Sequence, residues 1–314
     1  MKKGERIGLF NPDGKFSTGI SFLRYVGEVG SLHIQSREAL AKKGVRWYMV
    51  GSLLVPLFGK LSDKSIPAYA YPAISYLWEY ARFFDDLIDN ANSFPNWSET
   101  KQAIGPSQSR LVKAVSDFRI SPEQKREVLY ELADLRRRSY AAFERQHGWT
   151  ETASFADAFA YRKDSSLLLM RKVAAMGNIL ASTNQSVRTR VEDGFEAIGI
   201  VALQLPDDLQ DVLDDKITDG NLVHATLHDH GEFENFFNAA QNSPDGTNLF
   251  GLLANTAPYS THFLTSVANA ALSDLRAVSP DVERAIYFAS QLLFDHIVID
   301  RGKNRFMSKF TRGD

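Results

Sequence analysis

The chain has 314 residues, 44% of them apolar and 24% charged, with a net charge of −2. These are the proportions of a soluble globular protein, and the charge gives no support for a nucleic-acid partner or an anionic membrane surface. Cysteine is absent, which excludes disulfides, thiolate catalysis and cysteine-ligated metal.

The start, Met1-Lys2-Lys3-Gly4-Glu5-Arg6, has no secretory apolar run behind it,. The longest apolar run, Trp47 to Phe58, is too short for a transmembrane segment and holds Gly51 and Pro56,. A cytoplasmic protein is expected. Residues 1–19 carry five glycine or proline breaks, at Gly4, Gly8, Pro12, Gly14 and Gly19, and read as an irregular arm. Apolar spacings of three and four predict a helix from Ile20 to Lys43, and the apolar run predicts a buried one from Trp47 to Lys60,. Pro67 and Pro72 punctuate the chain before a helix over Ala73 to Asn90, apolar nearly all round and therefore central,. Ser93 to Ser109 is loop-like. Leu111 to Phe118 is helical, and so is Pro122 to His147, with Ser121 as N-cap and Pro122 in the first turn,. The arginine run Arg136-Arg137-Arg138 on it reads as a solvated face. Helices over Thr152 to Gly177 and Ser186 to Asp215 follow, then a Gly220-Asn221 turn. Three more cover Ala225 to Gln241, Leu249 to Val278 and Pro280 to Arg301. No stretch alternates with period two. The prediction is an all-α protein, one domain over 1–314, of roughly ten helices.

Two acidic clusters carry the chemistry. Asp207, Asp211 and Asp215 lie at i, i+4 and i+8, stacked on one helix face, and Asp85-Asp86-Leu87-Ile88-Asp89 repeats the i, i+4 spacing upstream,. Like charges four apart destabilise a helix by about 0.2–0.5 kcal/mol per pair. The upstream cluster also sits at a helix C-terminal end, where the dipole opposes anions. Both follow strongly apolar sequence, Phe83-Phe84 in one case and Ile198 to Leu205 in the other. A bound cation resolves the conflict. Carboxylate oxygens suit Mg²⁺, which takes one or two of them together with waters and substrate phosphates.

Asp85-Asp86-Leu87-Ile88-Asp89 resembles the first D-D-x-x-D motif of the trans-isoprenyl diphosphate synthases. Leu203-Gln204-Leu205-Pro206-Asp207-Asp208-Leu209-Gln210-Asp211 resembles their second motif, F-Q-x-x-D-D-x-x-D. Arg162-Lys163-Asp164-Ser165 sits where that family has a lysine and a small hydroxyl residue, and Lys43 and Arg46 are similar in spacing to its basic pair. The likeness spans about residues 40 to 230. Asp207, Asp211 and Asp215 also resemble in spacing the metal triad of class I terpene synthases, and Arg162 is placed like their diphosphate-sensing arginine. The shared ground is the class I isoprenoid synthase fold, a helical bundle around a central cavity.

The resemblance implies three Mg²⁺ ions held by Asp85, Asp86 and Asp89 on one side and Asp207, Asp208, Asp211 and Asp215 on the other. Arg162 and Lys163 would bind the departing diphosphate of an allylic prenyl diphosphate, and Lys43 and Arg46 would dock isopentenyl diphosphate or another acceptor. Gln204 is expected as a substrate contact, and Tyr80 and Phe84 as pocket residues, with Tyr80 limiting chain length. A homodimer is implied by the family. The chain departs from the elongases in having no arginine between Asn90 and Thr100, which favours the rival reading, a terpene synthase that needs no isopentenyl diphosphate. Arg305-Phe306 is a weaker match to that rival's R-Y pair. A non-catalytic subunit of a synthase is expected to lose carboxylates. This chain keeps both clusters.

Overall fold

The computed structural model describes residues 57–64, 73–74, 76–77, 108–147, 149, 152–213 and 220–300. Lys43, Arg46, Tyr80, Phe84, Asp85, Asp86, Asp89, Asp215, Arg305 and Phe306 lie outside them, as do the N-terminal arm and the first predicted helix. Helix covers 57–62, 73–74, 76–77 and 108–116. Ten named α-helices follow among the described residues: α1 Pro122–His147, α2 Phe155–Asp164, α3 Ser166–Leu180, α4 Gln185–Ile198, α5 Leu205–Asp211, α6 Leu222–Asp229, α7 Phe233–Asn242, α8 Leu249–Thr256, α9 Pro258–Val278 and α10 Pro280–His296. A π-helical segment, Gly199–Gln204, joins α4 to α5. No strand occurs among the described residues beyond one isolated antiparallel bridge, Asn248 to Val298. No described helix is long and apolar enough to cross a membrane. The chain is all-α.

It divides into two compact units. One contains the described parts of Arg24–Phe143 together with Asp164–Glu196. Its centre is α3, whose Leu167, Leu168, Met170, Val173 and Met176 are all buried, as an all-round apolar helix requires. Lys172 interrupts that run and is buried, so its ammonium needs partners. It has Glu131 and Asp134 on α1, the latter at 2.7 Å. Carbonyls at and just past the end of α3 are met from outside the helix: Gln124 Nε2 donates to Ile179 O at 2.8 Å, and Lys64 Nζ to the Ala181 and Ser182 oxygens at 3.3 and 3.1 Å,.

Helix α1 keeps its predicted bounds because its start is specified locally. The Gln124 N–H donates to Ser121 Oγ at 3.2 Å while the Ser121 N–H donates to Gln124 Oε1 at 3.1 Å, a reciprocal capping box,. Ser121→Ala should cost about 1 kcal/mol, readable as a lower urea midpoint at unchanged slope. On the same helix Arg137 is exposed, as expected of the arginine run, but Arg138 donates through Nε to Asp164 at 3.0 Å.

The other unit holds the described parts of Glu144–Lys163 and of Ala197–Asp314. Helices α9 and α10 pack on each other and on the π-helical segment, and α6 packs on α5. The π segment has an identifiable cause. Pro206 has no N–H, so a carbonyl four or five residues earlier loses its donor. Leu205 N–H reaches back to Ile200 O, an i→i−5 bond, and the buried Ser290 hydroxyl of α10, which donates to Ile286 O at 2.8 Å, lies 3.3 Å from the Val201 carbonyl as a shared second acceptor. Widened turns of this kind frequently mark functional sites.

Three predicted helices are each broken. Thr152 to Gly177 splits at Ser165, with φ −121° and ψ −102°; Asp164, Ser165 and Ser166 are residues whose side chains compete for backbone groups. Ala225 to Gln241 splits at Gly231, with φ +66°. Leu249 to Val278 splits at Ala257, φ −137° and ψ 64°, because the residue before a proline is kept out of the helical region. The Glu232 carboxylate then accepts the Tyr259 and Ser260 N–H groups at 3.2 and 2.8 Å at the start of α9. Helix α10 stops at His296, short of Arg301, and Ile297 to Ile299 turns back to bond with Thr247 and Leu249.

His228 and His230 lie at the end of α6, the latter as its C-cap. His230 is exposed, but His228 is half-buried, stacked on Phe233 with centroids 4.0 Å apart, and its buried Nε2 has no hydrogen-bond partner among the described residues. Burial pushes its pKa below 6.5, against the attraction of Asp229 and Glu234. A folded-state pKa below the unfolded value means that stability present above about pH 6.5 is lost as the pH falls. His228→Phe should flatten that acid limb, measured as urea midpoints at pH 7.5 and 5.5 relative to the parent chain.

Candidate active site

Helix α2 carries Arg162 and Lys163, and its start is fixed twice. Asp157 N–H donates to Ser154 Oγ at 3.2 Å, and Phe155 N–H donates to the Asp229 carboxylate at 2.8 Å. The helix therefore presents Arg162 from a supported frame. Helix α5 carries Asp207, Asp208 and Asp211.

The two helices meet through a buried ion pair. Arg162 Nη2 donates to Asp208 Oδ1 at 2.8 Å, with the side chains 13% and 2% exposed. Gln204, one turn earlier and also buried, donates through Nε2 to the same oxygen at 2.7 Å. Asp208 Oδ2 accepts the Leu222 N–H at 2.8 Å. Arg162 Nε donates to Gly220 O at 3.1 Å. Burial pushes the Asp208 carboxyl above the usual carboxylate range, while Arg162, the Leu222 N–H and the Gln204 amide all favour the charged form. Every one of these partners is a donor. That pattern fits a carboxylate, and the arginine supplies its counter-charge.

Gly220 makes the close approach possible. It has φ +70°, and a Cβ there would lie 2.8 Å from the Tyr161 ring, itself packed edge-on against Trp149 at 5.7 Å. Only glycine combines that backbone with that space.

Asp207 and Asp211 lie one turn apart on α5 and are half-exposed, in contrast to buried Asp208. Hard carboxylate oxygens at this spacing, beside an arginine, fit one side of a Mg²⁺–phosphate site. Among the described residues no three carboxylate or histidine side chains form a metal cluster. The expected partners Asp85, Asp86, Asp89 and Asp215 are not among the described residues. Lys163 is exposed, its Nζ 5.1 Å from the Phe159 ring centroid.

The sequence reading gave no role to Gly220, Asn221 or the Leu222 N–H, and did not pair Arg162 with Asp208. One signal was present. Val201, Leu205, Leu209 and Val212 trace the buried face, and Asp208 falls on it, whereas Asp207 and Asp211 do not.

No protein-family model matches the chain, and no curated protein sequence does. Solved structures do. A geranylgeranyl pyrophosphate synthetase from the archaeon Geoglobus acetivorans superposes with a TM-score of 0.62 at 13% identity, over 88% of this chain and 99% of that one. A polyprenyl synthetase from Streptomyces coelicolor A3(2) superposes with a TM-score of 0.55 at 14% identity, over 90% of this chain and 100% of the other. At such identities the likeness is one of fold, and function rests on the site. The chain adopts the trans-isoprenyl diphosphate synthase-like fold.

Proposed function

We propose that this protein is a Mg²⁺-dependent prenyltransferase that ionises an allylic prenyl diphosphate and transfers its prenyl group with release of diphosphate. The observation that carries the reading is the buried Arg162–Asp208 pair beside half-exposed Asp207 and Asp211, in a chain with this fold.

Asp207 and Asp211 would hold Mg²⁺ from α5, with Asp215 and the upstream Asp85, Asp86 and Asp89 as the further ligands. When bound, the metal neutralises charge on the diphosphate and makes it a better leaving group. Asp208 has both oxygens committed to Arg162, Gln204 and Leu222, so its role is to fix Arg162. Arg162, held in one plane, donates to the oxygens on which charge develops as the C1–O bond breaks and its electron pair leaves with diphosphate. Lys163 adds a second positive charge. Lys43 and Arg46 would dock isopentenyl diphosphate, whose double bond attacks the allylic carbon before a proton is lost. Tyr80 and Phe84 would line the pocket that keeps water from the cation.

A second reading, a terpene synthase, has one specific support. No arginine occurs between Asn90 and Thr100, where elongases of this type carry them. The test is incubation with Mg²⁺ and geranyl, farnesyl or geranylgeranyl diphosphate, with and without isopentenyl diphosphate, followed by mass spectrometry. Longer diphosphates that appear only with isopentenyl diphosphate support transfer. Hydrocarbon or alcohol from the allylic substrate alone supports the second reading. Pyrophosphate release unaltered by Asp85→Ala would remove the metal-site assignment from both.

A further inference from the structure

We infer that Gly220-Asn221-Leu222 is a clamp that sets the orientation of Arg162, with Asn221 as its positioning residue. The inference rests on the reading of Arg162 as the diphosphate-binding group. Three consecutive residues reach the Arg162–Asp208 pair through three different atoms. The Gly220 carbonyl accepts from Arg162 Nε at 3.1 Å. The Asn221 Nδ2 donates to the main-chain carbonyl of Asp208 at 2.7 Å. The Leu222 N–H donates to Asp208 Oδ2 at 2.8 Å.

Asn221 is 2% exposed, and both ends of its amide are used. Its Oδ1 accepts the Val223 and His224 N–H groups at 2.9 and 3.0 Å, capping α6,. Its Nδ2 meets one of the last four carbonyls of α5, where intrahelical donors run out,. The side chain thus ties the start of α6 to the end of the helix that bears Asp207 and Asp211. His224, in the first turn of α6, adds a second tie at 2.5 Å from its Nε2 to Val212 O. Serine at 221 would accept the capping bonds but has no amide to span the distance to Asp208. A guanidinium bonded through both Nε and Nη2 is fixed in its plane, so a shift of the 220–222 backbone or of Asp208 rotates Arg162. The clamp holds both contacts at once: Gly220 and Leu222 flank Asn221, and Asn221 fixes their distance from α5.

The test uses Asn221→Ser and Asn221→Ala in the full chain, with ¹⁵N-labelled arginine and Arg162→Lys to assign the Nε–H resonance. Three quantities are read: exchange of the Arg162 Nε–H, Mg²⁺-dependent affinity for inorganic pyrophosphate by calorimetry, and the unfolding temperature. Asn221→Ser should unfold above Asn221→Ala, because the cap survives and only the amide tie to Asp208 O is lost,. Its Arg162 Nε–H should nevertheless exchange about tenfold faster and its pyrophosphate affinity fall about tenfold, the size of a coupled pair. Asn221→Ser combined with Arg162→Lys should bind no more weakly than Arg162→Lys alone. An unchanged Nε–H in Asn221→Ser, with only Asn221→Ala affected, would reduce Asn221 to a helix cap and overturn the inference. If the parent chain binds no pyrophosphate with Mg²⁺, the functional reading fails, and faster Nε–H exchange in Asn221→Ser still establishes the clamp.

Discussion

Asp208→Ala should destabilise the protein by about 3–5 kcal/mol, the cost of stripping one partner from a buried ion pair. Arg162 would keep its charge in a setting where it is 13% exposed. The Gln204 amide and the Leu222 N–H would lose their acceptor in the same step, and each orphaned donor adds to the penalty. Equilibrium unfolding in urea reads this as a lower midpoint at unchanged slope. The same physics predicts a partial rescue. Removing both charges in Arg162→Met/Asp208→Leu leaves no unpaired ion, so the double variant should be more stable than Asp208→Ala alone. A double variant less stable than Asp208→Ala would show that the hydrogen bonds, not the charge, set the cost. Asp208→Ala within about 1 kcal/mol of the parent, the range of exposed pairs, would mean that the pair does not hold α2 to α5.

Asp207→Asn and Asp211→Asn should do the opposite. Both carboxylates are half-exposed on α5, and both changes keep the side-chain shape. Unfolding free energy should therefore change by about 1 kcal/mol at most, the scale of one hydrogen bond, well short of the loss in Asp208→Ala. The rate of pyrophosphate release from an allylic diphosphate should fall by about 10²–10³, the usual loss when one preorganised electrostatic contact is removed from a transition state. Chelation of divalent cations should abolish release in the parent chain, and added Mg²⁺ should restore it. If either variant released pyrophosphate at the parent rate, that residue would leave the proposed ligand set. Adjacent aspartates, 207 and 208, are thus expected to differ in stability: Asp208→Ala unfolds more easily and also frees Arg162, whereas Asp207→Asn lowers the rate with little loss of stability.

That separation explains how far the sequence could be read. The helix Pro122–His147 was legible to the residue because its cap, Ser121 with Gln124, lies within four residues of its start. The break before α6 was legible from residue types, Gly220 with positive φ and Asn221 as the N-cap,. The breaks at Ser165, Gly231 and Ala257 are hidden in the sequence, although Pro258 marks the last of them, because the apolar periodicity continues across each break. The π segment was legible only in its cause, Pro206, which removes a donor; that the turn widens to an i→i−5 bond, with the Ser290 hydroxyl 89 residues away lying near Val201 O, belongs to the packing.

By itself the sequence determined the helical class and put Asp207 and Asp211 one turn apart. Both follow from the 3.6-residue period, which is a local property. The apolar face already set Asp208 apart, but only the tertiary structure decided that it meets Arg162, 46 residues earlier, and is held there by Gln204, Leu222 and the amide of Asn221. The physical reason is that neighbouring residues on a helix point about 100° apart. A run of identical carboxylates therefore has no assigned roles until packing buries one side of the helix and leaves the other open.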